Sequence, residues 1–334
     1  MGKIKILNKG LLTSIQDLGR RGYQKCGVPI SGVMDDYSHK IANILVDNTV
    51  EEATLEVTML GPKIQFLDKQ KISITGGNLQ PKINNKSVPM WETLNVEKED
   101  VLSFSGLKSG LRSYIAFSGG FDIPKPMGSK SYYSKANLGK EIKNNQILKI
   151  NTSLDYNNRR LSEEYIPQFK TEIECRVVLG PQDDYFAQEE INIFFKSKYN
   201  VSNASDRMGY RLEGNQIKHK LTPDIISDGL GKGAIQIPGN GEPIIMMSDA
   251  QTTGGYTKIG YVIKSDLNKL AQLKPGDQIQ FKEISIEEAQ GKYIDYMNKF
   301  STIEEKIDFP RDITHYKITI NGKIYDVSVE DLNN

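Results

Sequence analysis

Cysteine is scarce: the 334 residues contain two, Cys26 and Cys175. Two thiols cannot build a disulfide framework or a four-thiolate zinc site. Both stand beside apolar or strand-forming residues and read as reduced, buried side chains. Histidine is nearly as rare. His39, His219 and His315 lie far apart without an HExxH spacing, so no His-rich metal site is expected, and a Ser-His-Asp triad has few candidates for its base. The single tryptophan, Trp91, follows Pro89-Met90 and reads as packing. No apolar run approaches the ~18 residues of a membrane span. Lys3, Lys5 and Lys9 alternate with apolar residues, which leaves no signal-peptide core. Ile6 breaks the myristoylation pattern after Gly2. An excess of one charge is missing too: 43 Lys+Arg against 42 Asp+Glu gives +1. No bulk attraction to nucleic acid or anionic membrane follows. A cytoplasmic protein without nucleic-acid, membrane or metal partners is expected.

The phosphate-binding glycine motifs are also absent. Gly128-Ser129-Lys130-Ser131 lacks the earlier glycine of a P-loop, and no GxGxxG opens a helix after a strand. If the reaction uses ATP, another chain binds it.

What is present is a globular composition, 38% hydrophobic with 29 glycines, at a length that suggests about two domains. Most periodic segments are short, β-branched or alternating, and bounded by Gly, Pro, Asn or Asp. They include Lys3–Leu7, Lys71–Thr75, Val101–Ser105, Arg112–Ser118, Glu172–Leu179, Ala234–Pro238, Pro243–Ser248 and Gln278–Ile284. Such a pattern predicts a mainly β protein of sandwiches or barrels with a few short helices. Helices are expected over Asp35–Val46, over Phe186–Phe195, over Asp266–Leu273 with Ser265 as N-cap, and after the capping-box pair Ser285 and Glu288. The polar, aperiodic stretch Asn151–Phe169 divides the chain. An N-terminal β domain (1–155) precedes a second β domain (156–284), with a tail over 285–334. In the tail, alternating strands flank Asn321-Gly322, a favoured type I′ hairpin turn. A faint echo pairs Arg20-Arg21-Gly22-Tyr23 with Arg207-Met208-Gly209-Tyr210.

Polar residues and glycine crowd into four clusters: Gln16–Arg20, Ser205–Arg211, Gly233–Gly239 and Ser248–Tyr256. Glycine lets backbone N–H groups approach a ligand, Gln, Thr and Asp direct hydrogen bonds, and Arg can clamp a carboxylate. Each cluster alone is also ordinary turn chemistry. Asp17 with Arg20, and Asp206 with Arg207, could equally be internal ion pairs that fix a loop.

Taken together, the clusters resemble a known family. They comprise Gly10–Arg20, Gly27-Val28-Pro29 with Met34-Asp35, Ala116–Gly120, Gly180-Pro181-Gln182, Ser205–Leu212 and Gln251–Tyr256. In this order they resemble the biotin-dependent carboxyltransferase family, which includes the C-type subunit of 5-oxoprolinase, the antagonist of the Kip kinase inhibitor and allophanate hydrolase subunit 2. The match runs over about residues 3–283. The resemblance implies cyclophilin-like β-barrel domains and work with partner subunits. One implied role is ATP-dependent cleavage of 5-oxoproline to glutamate, together with the A-type and B-type (Kip-inhibitor-like) 5-oxoprolinase proteins. ATP and magnesium would be used by a partner. A second is passing a carboxyl group from carboxybiotin, on a partner carrier protein, to a urea-like acceptor. A third is non-catalytic binding of a Kip-type kinase inhibitor. The tail hairpin resembles the start of a biotinyl domain, but no Met-Lys-Met acceptor follows, so biotin is expected on a partner.

On this reading Asp17, Arg20, Arg207, Gln236, Asp249, Gln251, Thr252, Thr253 and Tyr256 are expected to line one cleft. Arg207 or Arg20 would hold a substrate carboxylate. Gln251, Thr252 and Thr253 would bind the amide, and Asp249 would accept a proton. No cofactor is expected on this chain.

Overall fold

Alternation decides the first strand. In Gly2–Asn8, Ile4 and Ile6 are buried while Lys3 faces solvent. The computed structural model describes residues 1–307, 313–320 and 323–330. Two sheets come from the first 150 residues. One runs Gln146–Ile150, Gly2–Asn8, Lys63–Phe66, Val101–Phe104, Pro81–Ile83 and Lys86–Ser87 in spatial order. The other runs Leu12–Gln16, Thr54–Thr58, Ser109–Phe117, Gln70–Asn78 and Thr93–Val96. Both give apolar side chains to one core, with Ile4, Ile64 and Phe66 from the first sheet and Leu55, Ile74 and Phe117 from the second.

Residues 172–283 form a barrel. Its strands are Glu172–Leu179, Gln278–Glu283, Lys198–Val201, Gly209–Glu213, Ile244–Met246, Ala234–Ile237 and Thr253–Val262. The last pairs with the first, Val178 opposite Tyr261, and closes a ring of seven strands. Glu172–Leu179 and Gln278–Glu283 pair in parallel, and the pairs with Lys198–Val201 and Thr253–Val262 beside them are antiparallel. Asp224–Gly229 adds outside the ring, on Thr253–Val262. The protein is therefore mainly β, with a barrel, as the resemblance implies.

Four α-helices stand among the described residues. α1 (Asp36–Leu45) is capped by Asp35, whose carboxylate accepts from Ser38 N at 3.0 Å. α2 (Gln188–Lys196) begins two residues later than the periodicity predicts, because Phe186 is extended and bridges His219. α2 packs Phe194 in a stack on barrel residue Phe281, with centroids 4.5 Å apart. α3 (Leu267–Leu270) is shorter than expected, and Ser265 does not cap it. A 3-10 turn over Lys264–Asp266 leads in, and Arg176 takes the Asp266 carboxylate at 2.7 and 2.9 Å. α4 (Ile286–Glu305) carries the predicted capping box, Glu288 N to Ser285 Oγ at 3.1 Å and Ser285 N to Glu288 Oε2 at 3.0 Å. Its far end brings Phe300 and Ile303 onto Tyr37, Ile41 and Leu45 of α1 and onto Trp91.

Cys175 is buried as expected, but Cys26 is exposed. It ends the 3-10 turn Gln24–Cys26, closed by Gly27 at φ 76°, and all three residues of that turn face outward. In the tail, Ile313–Ile320 and Lys323–Glu330 pair antiparallel with Ile320 opposite Lys323. That register leaves a two-residue connection, as the sequence predicts. Asn321 and Gly322 themselves lie outside the described residues.

Candidate functional site

The strand Leu12–Gln16 ends in a loop that would leave Asp17 buried and unsatisfied without partners. The segment Ser129–Ser131, far along the chain, supplies them. Ser129 Oγ, Ser131 Oγ and Lys130 N each donate to the carboxylate at 2.6 Å, and Gly19 N does so at 2.8 Å. Burial pushes the Asp17 carboxyl up, but these donors outweigh it and hold the group below its usual range. Arg20 is 1% exposed and donates through Nη2 to Ser131 O. Its Nε and Nη1 have no protein partner. Burial lowers its affinity for a proton, against the pull of Asp17 and Asp249.

Arg207 and Asp249 come from two loops of the barrel and form a two-pronged pair. Nε reaches Oδ2 at 2.8 Å and Nη2 reaches Oδ1 at 3.0 Å. Arg207 Nη2 also donates to Gly32 O at 2.7 Å, and Nη1 donates to Glu56. Glu56 sits in Thr54–Thr58, whose five residues are all buried. Its Oε2 accepts from Met34 N at 2.7 Å and Tyr114 OH at 2.8 Å. Burial raises the Glu56 carboxyl, and the guanidinium groups of Arg207 and Arg112 more than reverse that. Arg207 itself is held charged: burial opposes its protonated form, but Asp249 and Glu56 prevail.

The pair opens onto a cleft of about 200 Å³. Thr13, Ser14 and Gln16 line it from the strand Leu12–Gln16, Tyr132 and Ser134 from the loop after Ser131, and Arg207 and Asp249 from the barrel. Gln16 Nε2 is bonded to Ser14 Oγ and Tyr132 O, both at 2.9 Å, whereas Gln16 Oε1 and Thr13 Oγ1 are buried without partners. Buried polar atoms in a native fold are nearly always paired, so these two oxygens are open to a further partner, as are others elsewhere in the fold such as Gln70 Oε1 and Tyr199 OH. The free atoms are an acceptor for an N–H and a hydroxyl, a set that suits a small amide. A larger cleft of about 750 Å³, beside α1 and α4, holds none of the predicted site residues. Among the described residues no group of three or more His, Cys, Asp or Glu is placed to hold a metal.

Of the nine predicted residues, Arg207 and Asp249 line the 200 Å³ cleft. Asp17 and Arg20 lie buried in the loop beside it. The other five gather around Thr253–Val262. Gln236 is buried and donates to Tyr256 O at 3.3 Å. Gln251 and Thr253 are exposed, Thr252 is half-buried, and Tyr256 is 42% exposed. None of these five lines that cleft. Sequence reasoning missed Glu56, Tyr114 and Ser129–Ser131. Glu56 stands on the polar side of the alternating strand Thr54–Thr58, so nothing in the sequence signals its burial. The crowding of Gly128-Ser129-Lys130-Ser131 was a signal, set aside because it fails as a phosphate loop.

The comparisons with known proteins agree with this architecture. Residues 26–283 match the family model of the carboxyltransferase domain, subdomains A and B. The chain is 33% identical to the C-type subunit of 5-oxoprolinase from Escherichia coli over 290 residues, 86% of this chain and 93% of that protein. It is 35% identical to urea amidolyase of Saccharomyces cerevisiae over 312 residues, but spans only 17% of that protein. Among solved structures, urea carboxylase of Kluyveromyces lactis superposes with a TM-score of 0.86 at 28% identity, over 98% of this chain and 32% of that one. Urea amidolyase of K. lactis gives 0.86 at 29%, over 95% and 22%. These relatives are enzymes or enzyme components. The chain belongs to the family of the carboxyltransferase domain, subdomains A and B.

Proposed function

We propose that this chain is one component of a multi-subunit enzyme acting on a small amide, and that the reaction is ATP-driven cleavage of 5-oxoproline to glutamate. One joint observation carries the reading. A small polar cleft with unpartnered Gln16 and Thr13 oxygens lies in a chain that covers 93% of a relative named as the C-type subunit of 5-oxoprolinase. The lactam N–H is offered to Gln16 Oε1. Arg20, buried in the loop beside the cleft, supplies positive charge for the substrate carboxylate once that loop opens toward the cleft, since its Nε and Nη1 are uncommitted while the Arg207 fork is taken by Asp249, Glu56 and Gly32. Asp249 meets a proton of the substrate or of water, with Arg207 setting the carboxylate's orientation. Gln236, Gln251, Thr252, Thr253 and Tyr256 form a second polar patch that faces a partner protein. The partner set consists of the A-type and B-type (Kip-inhibitor-like) 5-oxoprolinase proteins. One of them uses ATP and magnesium. The free thiols of Cys26 and Cys175 fit a reducing cytoplasm.

A second reading is transfer of a carboxyl group from carboxybiotin, on a partner's carrier protein, to a urea-like acceptor. A separate observation favours it. The two K. lactis structures match 95% and 98% of this chain, which requires most of the segment after Glu283, where the family-model match ends.

Reconstitution decides between them. The chain is mixed with its two partner proteins, ATP, magnesium and 5-oxoproline, and glutamate is assayed with and without this chain. Glutamate that depends on the chain is expected. An intact, ATP-competent complex that makes none rejects the first reading, and carboxybiotin with urea-like acceptors is assayed next. A tight complex inert in both assays points to a regulatory antagonist instead.

A further inference from the structure

The segment Gly32–Met34 is gripped from two sides. Its carbonyls face donors carried by the barrel. Gly32 O accepts from Arg207 Nη2 at 2.7 Å, Val33 O from Ser248 Oγ at 2.9 Å and Lys232 Nζ at 3.1 Å, and Met34 O from Lys232 Nζ at 2.8 Å. Its N–H groups face the other way. Val33 N donates to Asp17 O at 2.9 Å and Met34 N to Glu56 Oε2 at 2.7 Å. Gly32, at φ +83°, packs so closely that a Cβ there would stand 2.8 Å from Gly19 N. Displacing these three carbonyls therefore pulls on the Asp17–Arg20 loop through Val33 N and on Glu56 through Met34 N.

Of the three donors, only Lys232 can change its charge near neutrality. Ser248 is neutral, and Arg207 is balanced by Asp249 and Glu56. Lys232 hydrogen-bonds carbonyls, and among the described residues it pairs with no carboxylate. Asp36 at the start of α1 is the stronger of the two acidic influences, ahead of Glu56, and Lys264 already holds it at 2.7 Å. The charged groups that act most on Lys232 are Lys264, Asp36, Glu56 and Arg207, and Asp35, next to Met34 and pushed up to about 6 by burial, titrates in the same range, which is why the Lys232 variants carry the test. Burial, together with repulsion from Lys264 and Arg207, outweighs Asp36 and Glu56 and brings the ammonium down to about 7.

We propose that Lys232 is a positioning residue for the Arg207–Asp249 site, holding the seam at Gly32–Met34 shut and releasing it on taking up a proton. The inference rests on reading Arg207 and Asp249 as the site. The sign follows from linkage. An ammonium is better hydrated in an open seam than in the closed one, so the closed form binds fewer protons. Acid favours opening, and a rise of pH through neutrality favours closure.

Hydrogen exchange at the Val33 and Met34 amides of the full chain, corrected for the intrinsic rate at each pH, tests this. Protection is expected to fall about tenfold between pH 8 and pH 6, because a group that titrates at about 7 in the closed seam and well above 8 in the open one takes up its proton on opening only in the upper half of that window. Lys232→Met removes the titrating group and flattens the profile. Lys232→Arg fixes the charge and flattens it too, so it serves if the methionine variant fails to fold by circular dichroism. Equal wild-type protection at both pH values overturns the proposal. So does a tenfold change that survives in a folded variant. Exchange is read without substrate, so a failed reconstitution leaves this result standing, and a flat profile leaves the functional reading standing.

Discussion

The Arg207 fork has five N–H donors, and Asp249, Glu56 and Gly32 engage four of them. This saturation gives the pair two separable jobs. Asp249→Ala removes one of the two carboxylates on a buried guanidinium and leaves Glu56 as the other, so the cost is expected below the roughly 3–5 kcal/mol of a fully broken buried pair, read as a lower urea midpoint. Asp249→Asn keeps the shape and one acceptor oxygen but no basic oxygen pair. It is expected to fold while losing about a hundredfold in turnover of the reconstituted complex, the lower range for a group that meets a proton in the reaction. Full turnover by the asparagine variant removes Asp249 from the chemistry. At this scale the sequence was half legible. Arg207 and Asp249 stood out because polar residues and glycine crowd around them. Glu56 was hidden, since Thr54-Leu55-Glu56-Val57-Thr58 looks like a strand with one wet face, and only the folded chain buries all five. Three of the four donors to Asp17 lie more than 110 residues away, beyond any local pattern.

Elements were more legible than sites, because strands and caps are local. The alternation of Gly2–Asn8 and the Ser285/Glu288 spacing carry their own physics. Ser265 failed as a cap for a reason outside its helix: Arg176, on another strand, claims the adjacent Asp266. The α4 cap can be checked alone. Ser285→Ala removes the acceptor of the Glu288 N–H and is expected to cost about 1 kcal/mol locally. The measurement is faster amide exchange at Glu288, with the barrel amides unchanged and Ser285→Asp restoring protection. Exchange at Glu288 that stays as slow in the alanine variant shows that the helix end is held by something else.

Across the whole molecule, α4 links the barrel, from which it emerges, to α1 over the sheets of the first half. Phe300 makes that link, 5.6 Å from Tyr37 and 5.2 Å from Tyr296 by ring centroids. Phe300→Ala is expected to lower stability by about 3 kcal/mol, the low end for a buried aromatic, since the ring keeps slight exposure. Met297→Ala, on the 41% exposed face of the same helix, should change it by less than about 0.5 kcal/mol. Equal effects in chemical denaturation would mean that α4 does not brace the fold. No local signal in the sequence pairs residue 300 with α1, so this contact is read only from the structure.

The closure of the barrel also governs how the protein is made. Its first strand, Glu172–Leu179, has both neighbours downstream, at Thr253–Val262 and Gln278–Glu283. During synthesis that strand leaves the ribosome with neither edge paired; one edge waits for Thr253–Val262, and the other stays open until Glu283 has been added and cleared the exit tunnel. At ~5–20 residues per second the wait is of the order of ten seconds. Glu56, made 151 residues before Arg207, waits with it. A nascent chain stalled in this interval presents open strand edges, the form that chaperones and proteases recognise.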